Sequence, residues 1–192
     1  MNSKAPTEAY VWIWLPGETE PVVAGKLEAE GDKLLFAYGR SYLARENAIS
    51  IYDQELPLRR GTHDPLDGLT IPGCIRDAAP NAWGRRVIIN RLTGMRGPEV
   101  DTADLSELTY LLESGSDRVG ALDFQKSPTE YVPRQNTGAS YAELLDSARK
   151  VEEGTPLTPE LDMALMLGTP LGGARPKALV ENSGKNISPN FR

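Results

Sequence analysis

Over the first 60 or so residues short apolar runs rich in β-branched and aromatic residues are separated by turn signals, and this predicts strands. Residues 9–15, Ala-Tyr-Val-Trp-Ile-Trp-Leu, are β-branched or aromatic and read as a first strand. Pro16-Gly17 turns the chain into a second strand over residues 21–27, in which Gly25 marks a candidate bulge. Gly31-Asp32 turns it again into a third strand over residues 33–38. Ile49-Ser50-Ile51-Tyr52 reads as a short fourth with one solvated face. Together these make a small antiparallel sheet with tight connections.

From Asn81 the spacing becomes helical. Asn81 can cap a helix that carries Trp83, Val87, Ile88 and Arg91 and stops at Gly94. Asp101 or Thr102 can cap a second, with Leu105, Leu108, Leu111 and Leu112 on it, broken by Gly115-Ser116-Asp117-Arg118. Residues 119–124 return to strand. Residues 125–138 are rich in Pro, Thr, Asn, Gln and Gly and read as a loop or linker. Ser140-Tyr141-Ala142-Glu143 is a capping box for a helix with Leu144, Leu145, Ala148 and Val151 on its apolar stripe, ended by Gly154. Thr158-Pro159-Glu160 starts a last helix, ended by Gly168. The fold class is α+β, divided into residues 1–124, a linker at 125–138, and residues 139–192.

Composition narrows the chemistry. Apolar residues make up 40% of the 192 and charged ones 25%, which supports a packed core. A net charge of -6 opposes a broad nucleic-acid footprint. Cys74 is the only cysteine and His63 the only histidine, so an intrachain disulfide, a cysteine-based zinc site and a histidine-rich metal site are excluded. No apolar run reaches the ~18 residues of a membrane span, and residues 1–8 lack the apolar core of a secretory signal. A cytoplasmic address is the simplest expectation.

The segment with the clearest chemistry is Leu167-Gly168-Thr169-Pro170-Leu171-Gly172-Gly173-Ala174-Arg175-Pro176-Lys177. Gly172 and Gly173 let the backbone take positive φ and approach a ligand closely. Successive N–H groups in such a turn form a nest for an anion, and Arg175 and Lys177 add positive charge. From the glycines alone the alternative is a plain tight turn between helix and strand. Elsewhere, Tyr10, Trp12 and Trp14 share a face at period two and are expected in the core, with an interaction face as the alternative. Trp83 is expected in the core with Arg85 and Arg86 solvated outside it, the alternative being a partner surface. His63-Asp64 reads as a turn with Asx-type bonding, Cys74 as a small buried residue, and Glu152-Glu153 as a solvated helix end.

Three blocks in order carry a family resemblance. Arg76-Asp77-Ala78-Ala79-Pro80-Asn81-Ala82-Trp83-Gly84-Arg85-Arg86 resembles the Asp-x-x-Pro-Asp-x-Trp-Gly stretch of HipA-type toxin kinases, with Asn81 where Asp is usual. Asp117-Arg118-Val119-Gly120-Ala121-Leu122 is similar to that family's Arg-x-Gly-Ala-Leu turn into a strand, and residues 172–178 to its glycine-rich loop. The resemblance covers about residues 9–181, the N-terminal part of the family. It implies a β-rich, sheet or barrel-like subdomain with packed helices, then the start of a kinase N-lobe. It implies ATP and Mg²⁺ as cofactors, with Gly172, Gly173, Ala174, Arg175 and Lys177 at the phosphates, and Ser/Thr phosphorylation of a translation component that arrests growth. Pro170 stands where the family has an autophosphorylated Ser, and Thr169 beside it offers the nearest hydroxyl. Phosphoryl transfer also needs a phosphate-holding Lys, a catalytic Asp and metal ligands. In the family these lie past the point reached by residue 192, so no catalytic residue and no metal ligand is assigned. Gly184 could turn a hairpin, but Asn186-Ile187-Ser188-Pro189-Asn190 opposes the strand that should bear the Lys. The expectation is a truncated or frameshifted kinase, or an expressed piece of one, inactive alone. The alternative is a stand-alone binding module that regulates an intact HipA-like kinase. The implied partners are that kinase or a HipB-like antitoxin, with DNA reached only through the antitoxin and no membrane.

Overall fold

The computed structural model describes residues 5–93, 105–116, 118, 120–134, 145–146, 149–150, 153, 155, 181–182 and 187–188. Two compact units are distinguished. One comprises Met1–Ala79 and Gly120–Val132, the other Pro80–Val119 and Pro133–Arg192. With a five-stranded antiparallel sheet and several helices, the fold is α+β, as the sequence predicts.

The first unit is built on that sheet. Its strands are β1 (Glu8–Ile13), β2 (Val22–Glu30), β3 (Lys33–Tyr38), β4 (Thr62–His63) and β5 (Leu122–Gln125), in the order β4-β3-β2-β1-β5. The first three form a meander. Gly17 at φ +81° completes the first turn, where the Glu18 N–H donates to the Leu15 carbonyl, and Gly31 at φ +62° makes the two-residue turn between Glu30 and Lys33. β5 then returns from far along the chain to pair with β1, Val11 opposite Phe124 and Ile13 opposite Leu122. The bulge falls where Gly25 suggests it: Val11 faces Gly25 but Trp12 faces Val23. A Cβ on Gly25 would collide with the Ala37 carbonyl oxygen and come within 2.6 Å of the Phe36 ring. A residue without Cβ is what lets the two strands approach there.

One face of the sheet carries the core. Ala9, Val11, Ile13, Leu27, Phe36, Tyr38 and Phe124 lie on it and are buried. The opposite face holds the charged rung in which Lys26 pairs with both Glu8 and Glu28. It also holds Trp12, which is buried as expected for the aromatic strand, but on this face and not among the residues of the main core. Tyr131 roofs Trp12 and Trp14, each ring 5.4 Å from its own, and the Trp12 Nε1–H donates to the Ser127 carbonyl. The chain after β5 therefore folds back over the outer face as a second, smaller apolar layer.

The expected fourth strand at Ile49–Tyr52 does not form. Only a single bridge joins Tyr52 and Leu56 there, and the strand that follows β3 is the two-residue β4. Between them come the short helix α1 (Arg40–Leu43) and a loop; α2 (Gly73–Arg76) follows β4.

The second unit contains α3 (Ala82–Thr93) and α4 (Glu107–Glu113), with Ile88, Ile89 and Tyr110 fully buried and Leu105 packed against them. Asn81 caps α3 as expected, its Oδ1 accepting from the Gly84 N–H at 2.9 Å. The cap of α4 is Ser106, whose Oγ accepts from the Thr109 N–H, and not Asp101 or Thr102, which lie outside the described residues together with Gly94. Leu145, Asp146, Arg149, Lys150 and Glu153 are helical, and Asp146 pairs with Arg149 and Lys150 while Arg149 also pairs with Glu153. The capping box at 140–143 and residues 156–180 lie outside the described residues. β6 (Glu181–Asn182) pairs antiparallel with β7 (Ile187–Ser188), so Ile187–Ser188 is a strand after all, where Pro189 and the neighbouring Asn residues argue against one.

Candidate functional site

Within the sheet unit the polar side chains converge on one loop. Tyr38 on β3 and Tyr42 on α1 stack with their rings 5.6 Å apart and 7° from parallel. The Tyr38 hydroxyl donates to the Leu56 carbonyl and accepts from the Ile51 N–H. The Tyr42 hydroxyl donates to the Ile49 carbonyl. Burial raises both phenols above their ordinary pKa, so they keep the protons they donate. These bonds supply what a strand would have supplied to residues 49–56. Glu55, on the far side of the same loop, turns to α2, where Oε1 accepts from the Gly73 N–H and Oε2 from the Cys74 N–H. Burial pushes the Glu55 carboxyl up, but these N–H groups and the charge of Arg76 outweigh it and hold the carboxyl below its ordinary value. Cys74 is half-buried. Its thiol is pushed up to about 12 by burial and by the Glu55 carboxylate, so it stays a protonated thiol and not a nucleophile.

His63 lies beneath this loop. It belongs to β4, is 1% exposed, and pairs across from Phe36. This corrects the expected Asx turn: His63 is a buried strand residue, while Thr62 and Asp64 on either side of it are exposed. The ring meets Tyr38 edge-on at 5.6 Å and Phe36 at 6.1 Å, and neither ring nitrogen has a hydrogen-bond partner. Burial lowers its pKa, and the charge of Arg59 adds to that while the Arg59 backbone opposes it weakly.

The block at 80–86 builds the entry to α3. Trp83 is in the core, as expected, with its indole N–H unpartnered. Arg85 is not solvated, which corrects the expectation for it. Its two terminal nitrogens donate to both oxygens of Glu107 at 2.6 and 2.7 Å, its Nε to the Pro80 carbonyl, and its guanidinium lies 4.3 Å from the centre of the Tyr110 ring. About two helical turns along, one terminal nitrogen of Arg91 donates to a Glu113 carboxylate oxygen at 2.8 Å and to the Glu113 carbonyl at 3.0 Å. Asn81 in place of Asp keeps the capping oxygen and leaves its amide nitrogen buried without an acceptor.

The block at 118–122 is also scaffold. Arg118 is buried and donates to the Leu111 carbonyl and the Ser114 hydroxyl, closing the end of α4. Gly120 takes φ +108°, a conformation that only glycine adopts readily, and delivers Leu122 to β5.

The residues assigned to nucleotide binding, Gly172, Gly173, Ala174, Arg175 and Lys177, and the candidate phosphoacceptor Thr169, lie outside the described residues. Among the described residues no group of three or more His, Cys, Asp or Glu is placed to hold a metal ion, and no helix is long and apolar enough to cross a membrane. What sequence reading passed over is Glu55, Tyr38 and Tyr42. Their partners lie 7 to 19 positions away in no periodic relation, so no local pattern marks them.

No curated protein matches the chain. The profile of the HipA N-terminal domain matches residues 13–125, from the end of β1 through β5 and so across both family-like blocks described above. That is more than half of the 192 residues, and the protein belongs to the HipA N-terminal domain family.

Proposed function

We propose that this protein supplies the N-terminal, partner-holding part of a HipA-like toxin–antitoxin system and does not itself transfer phosphate. The observation behind this is the use of the polar groups inside residues 13–125. Glu55, Arg85, Glu107, Arg91, Glu113 and Arg118 are each spent on a backbone end or an opposite charge. Groups committed in this way orient a scaffold and are not free to move a proton. In the wider family the activity is ATP-dependent Ser/Thr phosphorylation of a translation component, with Mg²⁺. In this reading residues 172–177 approach the ATP phosphates and Thr169 is the hydroxyl nearest the family's phosphorylated position. Incubation with labelled ATP and Mg²⁺ should leave the protein and an aminoacyl-tRNA synthetase unlabelled. Stoichiometric labelling of either overturns the reading.

One observation favours a regulator over a passive fragment. β5 returns from far along the chain to pair with β1, so all five strands of the sheet come from residues 8–125. A sheet assembled from that stretch alone can dock on a partner without a catalytic lobe attached. Titration calorimetry against an intact HipA-like kinase and a HipB-like antitoxin should show saturable binding to one of them. Heat of dilution alone with both overturns the regulator.

A further inference from the structure

We propose that His63 makes the loop over residues 49–61 and strand β4 an acid-released latch on the sheet. Three placements point to it. The ring is buried on the core face of an edge strand that holds β3 through only two residues, Thr62 and His63. Neither ring nitrogen has a partner within hydrogen-bond distance, and the one backbone group that favours a second proton, that of Arg59, is outweighed by burial and by the Arg59 charge. The ring also touches Tyr38, whose hydroxyl is the tie that holds Ile51 and Leu56. An imidazolium that leaves for water therefore loosens strand and loop together.

The groups around the ring favour release. β3 presents Phe36 and Tyr38, and behind Tyr38 stands Tyr42 of α1; all are uncharged. Aromatic faces attract a cation less strongly than water solvates it. The loop presents Arg59, whose positive charge repels a second one. Among the described residues no carboxylate raises the affinity of the ring for a proton. Glu55, on the same loop, is despite burial held below its ordinary value by the Gly73 and Cys74 N–H groups and by Arg76, so it is not the group that titrates with His63.

The direction follows from linkage. The released ring takes up its proton near the ordinary value of 6.5, the closed ring only at lower pH. Closure is complete above 6.5 and weakens as pH falls toward the value of the closed ring, by about tenfold in the open-to-closed ratio per pH unit. Hydrogen exchange of the full chain, corrected for intrinsic rates, should lose protection over 49–63 between about pH 7.5 and about pH 5, while 9–13 keeps its own. His63→Phe and His63→Leu should abolish the change. Unchanged protection in the parent overturns the proposal, and so does an equal loss in both variants. Should neither variant fold, the single histidine gives one imidazole proton resonance in the parent. A midpoint below 6.5 that coincides with shifts of the Tyr38 and Tyr42 rings supports the latch; a midpoint at or above 6.5 overturns it.

Discussion

The sheet unit and the α3–α4 pair solve the same problem with opposite chemistry. Each must anchor irregular backbone against a packed core. In the sheet unit the anchors are neutral hydroxyls, those of Tyr38 and Tyr42, with one carboxylate at α2. In the helix pair they are ion pairs, Arg85 with Glu107 and Arg91 with Glu113, whose side chains are only a fifth to a third exposed. Neutral hydroxyls lose little when salt is added; partly buried ion pairs respond to the removal of a partner far more than to screening. The contrast teaches that charged residues in a family-like block need not mark a surface for a ligand.

Four substitutions and one salt titration test the contrast. The largest effect falls on close packing. Gly25→Ala forces the Ala37 carbonyl and the Phe36 ring aside and should cost about 3 kcal/mol in urea unfolding. Next, Arg85→Ala leaves Glu107 part-buried and unpaired and strips the cation from Tyr110. The loss should be about 2 kcal/mol, between the exposed and the buried extremes, and Glu107→Ala added to it should cost little more in a double-mutant cycle. Tyr38→Phe deletes one donor and one acceptor without a charge and should cost about 1.5 kcal/mol, with exchange rising over 49–56. Glu55→Gln should cost about 1 kcal/mol at neutral pH, the worth of a capping bond. Its effect has a sign that pH reveals. The folded carboxyl is held below its ordinary value, so its contribution is full above that ordinary value and is lost as pH falls through the folded one. The difference between parent and variant should therefore shrink in acid, as read from unfolding midpoints. Smallest is the salt response. Raising ionic strength from about 0.05 to about 0.5 M should change the cost of Arg85→Ala by about 0.5 kcal/mol and that of Tyr38→Phe by less.

Much of the fold was legible because its signals are local. The first three strands, the turns at Gly17 and Gly31, the bulge at Gly25 and the Asn81 cap each follow from residues within a few positions of one another. The misreadings share a different origin. Ile49–Tyr52 has the composition of a strand, but the backbone of Ile49 and Ile51 bonds to tyrosines 7 and 13 positions earlier, so alternation there has no sheet to serve. Arg85 looks like a solvated charge until Glu107, 22 positions on, comes alongside. Trp12 is buried as its type suggests, but only the returning Tyr131 shows that its cover lies on the outer face.

The sequence by itself determined the family and the short-range conformations: order of blocks, apolar period and glycine positions suffice for those, because they depend on covalent geometry and nearest neighbours. Only the tertiary structure decided which polar groups are spent on the scaffold. A carboxylate, a phenol or an imidazole has no fixed partner along the chain. Burial removes water from it, and what then stands within three ångströms decides whether it is a clamp, as Glu55 is, or a group left without a partner, as His63 is.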